Sequence, residues 1–307
     1  MAMTEPHAGV LAPGLEAAPG DGISDVVEAR PLRADVIKRF ARNKLAMVGF
    51  GFIVLLVVVA IFAPLIAPYD YAERTAQFRA PPSWDHLFGT DTIGRDIFSR
   101  VVYGARVSLK IGVLATVLML LIGVTYGAVA GFIGGGVDSL LMRITDIFLS
   151  IPYIVLAIAI ATIFGRSENA IILVLGLTGW LAISRIVRSS FLSLKQMEYV
   201  ESAHAQGFSK KRIMFRHVLP NAMQPIIVYG TVAIGGVILS EAALSFLGVG
   251  PQSPTPAWGL MVSEAGAGSL ATSPHMLFFP GVAIFLTVLA FVLVGDGLRD
   301  ALDPKLK

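Results

Sequence analysis

This 307-residue chain contains six long apolar stretches separated by polar segments. A bilayer core about 30 Å thick is crossed by about 20 residues of apolar α-helix. Only 15% of the residues are charged, whereas soluble domains average about 25%. The sequence therefore predicts an all-α, polytopic membrane protein with six transmembrane helices. The predicted spans are residues 45–67, 107–133, 140–164, 170–187, 222–247 and 277–296.

The distribution of Lys and Arg predicts the orientation, because these residues favour the cytoplasmic side of a membrane. They cluster before the first span, between the fourth and fifth spans, and after the sixth, so all three clusters fall on one side. Loop 248–276 contains no Lys or Arg, as expected of an outer loop, whereas the outer loop 68–106 is an exception with five arginines. We predict a bacterial inner-membrane protein with both termini in the cytoplasm and a cytoplasmic loop at 190–220.

The segment before the first span divides into two parts. Residues 1–29 are rich in Ala, Pro and Gly and are predicted to be a disordered tail. Residues 30–44 alternate apolar and basic side chains at helical spacing, which favours an amphipathic helix on the inner membrane surface. An ordinary basic flank of the membrane is the alternative. The six-helix transmembrane domain would then occupy residues 45–307.

Small and ionisable residues inside the spans suggest helix contacts. Gly123, Gly127 and Gly131 share one helix face and allow close helix packing, either within the chain or against a second membrane subunit. Arg143 and Asp146 are three residues apart and are predicted to pair at the cytoplasmic interface. Two further residues are candidates for a pore or gating role: Pro152, predicted to kink its helix, and Glu241, near the outer end of the fifth span.

The polar segment 196–221 is too patterned for a loose linker. Its first half carries Glu201 and Ser202 beside small residues, and Gly207 follows as a helix breaker. Residues 210–218 predict a second, basic amphipathic helix, which Pro220 is expected to end. This pattern predicts a compact helix–turn–helix with a flat surface that fits a groove of another protein. An interfacial loop without a partner is the alternative.

The same segment resembles the EAA loop of ABC importer permeases, in the run Glu201-Ser202-Ala203, Gly207 and Leu219-Pro220. Ser202 replaces an Ala of that motif, and His217 stands at an apolar position. Further motifs resemble dipeptide and oligopeptide permeases of the DppC/OppC type, and the likeness covers nearly the whole chain after the tail. They are residues 88–109, the set Asp138, Arg143, Asp146 and Pro152, the run 216–221, and Glu241 to Gly248 with Trp258-Gly259.

This resemblance implies the type I ABC importer permease fold and a set of partners. A homologous second permease would complete the pore, two ATPases would hydrolyse ATP with Mg²⁺ in the cytoplasm, and an external binding protein would deliver a peptide. The expected residues of ATPase coupling are Glu201, Ser202, Ala203, Gly207, Leu219 and Pro220. In that interpretation Glu201 makes polar contact, Ala203 allows close seating, and Gly207 forms the turn.

Several other functions lack sequence support. The chain has no G-x-x-x-x-G-K-[ST] loop, so we expect it to bind no ATP or other cofactor itself. It also lacks an H-E-x-x-H zinc motif, a G-x-S-x-G elbow and cysteine, so neither catalysis nor a metal site is predicted. The net charge of +3 gives no support to nucleic-acid binding. A stand-alone secondary transporter remains an alternative, and the cargo stays open among dipeptides, longer peptides, glutathione and nickel chelates.

Overall fold

The computed structural model describes residues 32–266 and 269–303, and its regular elements there are helices. The predicted tail at 1–29 lies outside the described residues. The helices are α1 (Leu32–Arg42), α2 (Lys44–Ile61), α3 (Ala63–Ile66), α4 (Ile97–Ile133), α5 (Gly135–Ser150), α6 (Tyr153–Phe164), α7 (Glu168–Leu194), α8 (Glu198–Ala205), α9 (Lys210–Arg212), α10 (Leu219–Phe246), α11 (Trp258–Ala265), α12 (Ser269–Thr272) and α13 (His275–Leu302), with a π-helix at Ile213–Val218 between α9 and α10. The all-α prediction is confirmed.

Within the described residues, five helices are long and apolar enough to cross a membrane, or six spans if the bent pair α5–α6 counts as one. Most spans extend beyond their predicted bounds, as α4 and α7 illustrate. Helix α4 begins at Ile97, not at 107, because the Asp96 carboxylate accepts a hydrogen bond from the backbone amide of Ser99 at 2.7 Å. Helix α7 reaches Leu194, so part of each loop predicted around these spans is helical.

The third predicted span is not one helix. Helices α5 and α6 meet at 91°, and Ile151 between them is extended at φ −89° and ψ 128°. A residue before proline is forced out of the α region, and proline itself donates no hydrogen bond to the preceding turn. Pro152 therefore breaks this span completely, where the sequence predicted a kink.

The glycines of α4 are covered by α7. A Cβ atom added at Gly127 would lie 2.3 Å from the Ser184 carbonyl oxygen, and one added at Gly123 would lie 2.3 Å from the Ile183 side chain. Gly131 meets the backbone of α7 in the same way. The structure shows that these glycines pack within the chain, which is one of the two interpretations that the sequence left open.

A buried network of four charges joins loop 68–106 to the segment 248–276. The Asp91 Oδ2 atom accepts hydrogen bonds from Arg95 and Arg100, each at 2.6 Å. The Glu264 Oε2 atom accepts from the same two guanidinium groups, at 2.6 and 2.7 Å. Both arginines are almost fully buried. Two of the five arginines that depart from the expected charge bias of loop 68–106 therefore serve as internal cross-links.

Candidate functional site

The first half of the polar segment is α8, which ends at a tight glycine turn. Gly207 has φ +77°, the left-handed conformation that glycine adopts without strain. The Gly207 amide donates to the His204 carbonyl at 3.0 Å, and the Phe208 amide donates to the Ala203 carbonyl at 3.2 Å. This pair of hydrogen bonds is a Schellman motif, so Gly207 reverses the chain where the sequence predicted a turn.

The two faces of α8 differ in exposure. Glu201 and Ser202 are exposed, whereas Val200 is fully buried and Ala203 is 3% exposed. Ala203 and Val200 belong to an apolar cluster with Phe191 of α7. The interpretation of Ala203 as a seat for a partner is therefore corrected. Its small side chain lets α8 lie close to the helices of its own chain, and the exposed face of α8 is polar.

The second half of the segment does not end before the fifth span. The Ser209 hydroxyl caps α9, and α9, the π-helix and α10 form one continuous helical run, Lys210–Phe246. The prediction that Pro220 ends this helix is wrong. Proline clashes with the carbonyl four residues earlier in an α-helix, and the π-helix directly before it has wider turns, with the Leu219 amide bonded to the Met214 carbonyl. Pro220 then lies in the first turn of α10, where its missing donor is tolerated.

His217 packs within an aromatic stack. Its ring lies parallel to Phe208, with 5.8 Å between ring centroids, and the Arg212 guanidinium covers Phe208 at 4.3 Å. Phe208 lies outside the sequence motifs, although its position directly after Gly207 fits the apolar residue that follows a Schellman turn. The stack explains how a histidine occupies a position where the EAA motif has an apolar residue.

The remaining predicted site residues fall into two groups. Leu219 joins Ala203 in the apolar cluster beneath α8, whereas Pro220 is exposed. Glu241 and Pro152 lie elsewhere, on α10 and at the α5–α6 break. A cavity of about 290 Å³ beside that break is lined in part by Ile151 and Tyr153, the neighbours of Pro152, and by Ser240.

Glu241 itself is directed into the helix packing and is 1% exposed. Its Oε1 atom accepts a hydrogen bond from the Ser245 hydroxyl at 2.7 Å, one turn further along α10. Its Oε2 atom has no hydrogen-bond partner among the described residues. Glu241 therefore borders the region of the cavity through its neighbour Ser240, while its own carboxyl group lies in the protein interior.

The acidic residues of α5 pair with α7. Asp138 binds Arg188 through two hydrogen bonds of 2.5 and 2.6 Å, and Asp146 binds Arg185. The predicted pairing of Arg143 with Asp146 is wrong in its partner, because α7 brings a second arginine to the acid. The interpretation as a structural ion pair agrees with this geometry, in which α5 is tied to α7 on both sides of Arg143.

Comparisons with known proteins place the chain among membrane permeases. Residues 123–307 match the family described as "Binding-protein-dependent transport system inner membrane component", and residues 32–82 match the "N-terminal TM domain of oligopeptide transport permease C". The dipeptide transport permease DppC of Alkalihalophilus pseudofirmus is 46% identical over 89% of this chain and 90% of the relative. The oligopeptide permease OppC of Bacillus subtilis is 45% identical over 94% of both chains.

Two further similarities extend this picture. The glutathione transport permease GsiD of Escherichia coli O157:H7 is 48% identical over 88% of this chain and 89% of the relative. A chain from the inward-facing MetNI methionine ABC transporter superposes with a TM-score of 0.57 and 17% identity, covering 67% of this chain and 98% of that chain. At that identity the structural likeness shows a shared fold.

Proposed function

Since the chain belongs to the family of binding-protein-dependent transport system inner membrane components, we propose that it forms half of the pore of a peptide importer. The chain is a membrane permease subunit of the ABC importer type. Its partners would be a second, homologous permease, two cytoplasmic ATPases that bind ATP with Mg²⁺, and an external binding protein. Di- or oligopeptides would be the cargo.

The observation that carries the coupling role is the anchoring of α8. One face of this helix presents Glu201 and Ser202 outward, and the other face is buried in the cluster that includes Phe191 of α7 and Val218 before α10. Closely packed interiors transmit displacement because they do not deform continuously. A push on the exposed face of α8 would therefore move the inner ends of α7 and α10. An ATPase that displaces α8 would in this way change the conformation of the pore.

The contact between α1 and α13 supports the proposed orientation. The Arg39 Nη1 atom donates to the Asp303 carbonyl at 3.3 Å, and the Asn43 side-chain amide donates to Asp300 at 3.4 Å. The start of the first span and the end of the last therefore lie together. An even number of crossings, with α5–α6 as one broken span, accounts for this. The excess of Lys and Arg near both termini favours the cytoplasmic side.

Glutathione is the second candidate cargo. The GsiD relative is as similar to this chain as the peptide permeases are, and glutathione is itself a short peptide. A cargo assay should therefore include a dipeptide, an oligopeptide and glutathione. The compound that inhibits uptake of the other two at the lowest concentration belongs to the preferred class of cargo.

The test of coupling compares two acidic residues of α8. Glu201→Ala should abolish ATP-dependent peptide uptake in cells that express the complete transporter, while membrane insertion stays normal. Glu198→Ala is the matched control, because Glu198 is also exposed on α8, one turn earlier, and uptake should persist. Radiolabelled peptide uptake and immunoblots of the membrane fraction measure the two quantities.

Normal uptake by a correctly assembled Glu201→Ala transporter would contradict the coupling role. Gly207→Pro should give the same loss as Glu201→Ala, since it removes the amide that donates to His204. Uptake by this chain in the absence of any ATPase would instead favour the stand-alone secondary transporter.

A further inference from the structure

A basic cavity opens beside the polar segment, at the end of α4. Its volume is about 550 Å³, within the range of small-molecule sites. Three lysines line it: Lys195 after α7, and Lys210 and Lys211 at the start of α9. Glu201 is the single acidic residue in the lining, so the wall carries two net positive charges.

Apolar side chains of α4 also line this cavity, and exposed apolar residues continue along the surface of α4. Val129, Phe132 and Ile133 contribute to the lining, and Ile133 is 61% exposed. Val129, Thr125 and Leu121 precede Ile133 on the same face of α4 at intervals of four residues, and Leu121 is 63% exposed. These four residues form a ridge along α4. The Thr125 hydroxyl donates to the Leu121 carbonyl at 2.7 Å, so its proton is already bonded within the helix. An apolar track therefore leads from the membrane-spanning part of α4 into the basic cavity.

We propose that this cavity binds the headgroup of an anionic phospholipid, with one acyl chain along the ridge from Ile133 to Leu121. The arrangement meets both requirements of such a ligand. Clustered lysines at the inner end of membrane helices attract phosphate headgroups, and the exposed ridge offers apolar surface at the depth of the acyl chains. A soluble anion would use only the lysines. The inference rests on the proposed orientation, which sets the cavity at the inner leaflet.

The position of the cavity gives the lipid a regulatory role. Lys195 donates to the Gly131 carbonyl at the end of α4, at 3.0 Å, and Lys210 and Lys211 begin the arm that leads through the π-helix into α10. A bound headgroup would therefore hold α4, α7 and the start of α10 together, beside Glu201. Membranes rich in anionic lipid should raise the rate of ATP-driven uptake.

The experiment measures lipid retention by the complete transporter, purified in mild detergent and stripped of endogenous lipid. Native mass spectrometry follows added phosphatidylglycerol, phosphatidylcholine with the same acyl chains, and glycerol phosphate. We expect phosphatidylglycerol to bind in preference to the other two. The double variant Lys210→Gln/Lys211→Gln should weaken its binding about thirtyfold, since each lysine near an anionic surface contributes about 1 kcal/mol.

A matched variant removes the same charge elsewhere. Arg74→Gln/Arg79→Gln replaces two exposed basic residues between α3 and α4, outside the cavity lining, and should leave lipid binding unchanged. Equal losses in both variants, or equal binding of the two phospholipids, would overturn the proposal, and so would comparable binding of glycerol phosphate. Loss of the ATPases from the lysine variant would also overturn it and assign the cavity to the protein interface. Absence of ATPases from the unmodified transporter would instead count against the proposed function.

Discussion

At the scale of single residues, two glycines matter because they have no side chain. Gly127 has no side chain where the backbone of α7 passes, and Gly207 has none where the chain turns with φ +77°. The first glycine is required by contact and the second by backbone conformation, because no atom lies within 4 Å of a Cβ placed at Gly207. Substitutions at these two positions should therefore fail for different reasons.

Gly127→Ala should destabilise the protein, because its Cβ would lie 2.3 Å from the Ser184 carbonyl oxygen. Overpacking of this kind costs about 1–3 kcal/mol. We expect a melting temperature in detergent that is several degrees lower. Gly51→Ala is the control, since Gly51 lies in α2 with nothing within 4 Å, and it should be neutral or slightly stabilising through its helix propensity. An unchanged melting temperature for Gly127→Ala would show that α4 and α7 are not in close contact.

At the scale of helices, ion pairs with α7 determine how the broken span α5–α6 packs. Helix α5 makes two ion pairs with α7, through Asp138 and Asp146, and α6 turns away at 91°. Pro152 determines where the break falls. The arginines of α7 that bind Asp138 and Asp146 determine how α5 packs. The same division applies to the polar segment, where Gly207 sets the turn and the buried side of α8 sets its orientation.

The Asp138–Arg188 pair should give a measurable coupling energy. Its two hydrogen bonds join planar groups, which is the stronger form of ion pair. A double-mutant cycle with Asp138→Asn and Arg188→Gln should yield about 1 kcal/mol from thermal unfolding in detergent. The exposed pair of Lys110 and Glu168 makes one contact of 2.9 Å and should yield about 0.5 kcal/mol or less. Equal coupling energies for the two pairs would contradict this ranking.

At the scale of the whole molecule, the four-charge network joins segments that are far apart in sequence. Arg95 and Arg100 each contact Asp91 nearby and Glu264 of α11. Neighbouring groups set the charge state of Asp91. Burial acts to raise the pKa of Asp91, but the Arg95 backbone amide and the Arg100 and Arg95 charges outweigh it, so the pKa lies below its usual range. The network is therefore intact at neutral pH.

Acid should weaken this connection. Because the pKa of Asp91 is lower in the folded protein than in the unfolded chain, its contribution to stability is fully present above about pH 3.9. That contribution is lost as the pH falls through the folded pKa, where the unfolded state binds more protons. Melting temperatures measured from pH 7 to pH 3 should therefore fall at the acidic end. Asp91→Asn should melt lower at pH 7 and should show a smaller decrease on acidification. A decrease as large as that of the unmodified protein would assign the acid sensitivity to other carboxyl groups.

The sequence alone determined those features of the protein that depend on local periodicity and backbone chemistry. Apolar runs of about 20 residues require helices in a membrane, so the all-α class and most spans were predicted, and the Gly207 turn followed from glycine itself. The start of α4 was missed because Ser99 and Arg100 look like loop residues, and their burial depends on contacts with distant segments.

Only the tertiary structure decided which residues face one another. It paired Asp146 with Arg185, turned Ala203 inward, and joined Lys195 to the lysines of α9 around one cavity. Local sequence pattern does not specify such pairings, because side chains far apart in the chain meet only after the helices have packed. The π-helix before Pro220 belongs to the same category. A proline in sequence predicts the end of an α-helix, and only the observed backbone shows the wider turns that let the helix continue.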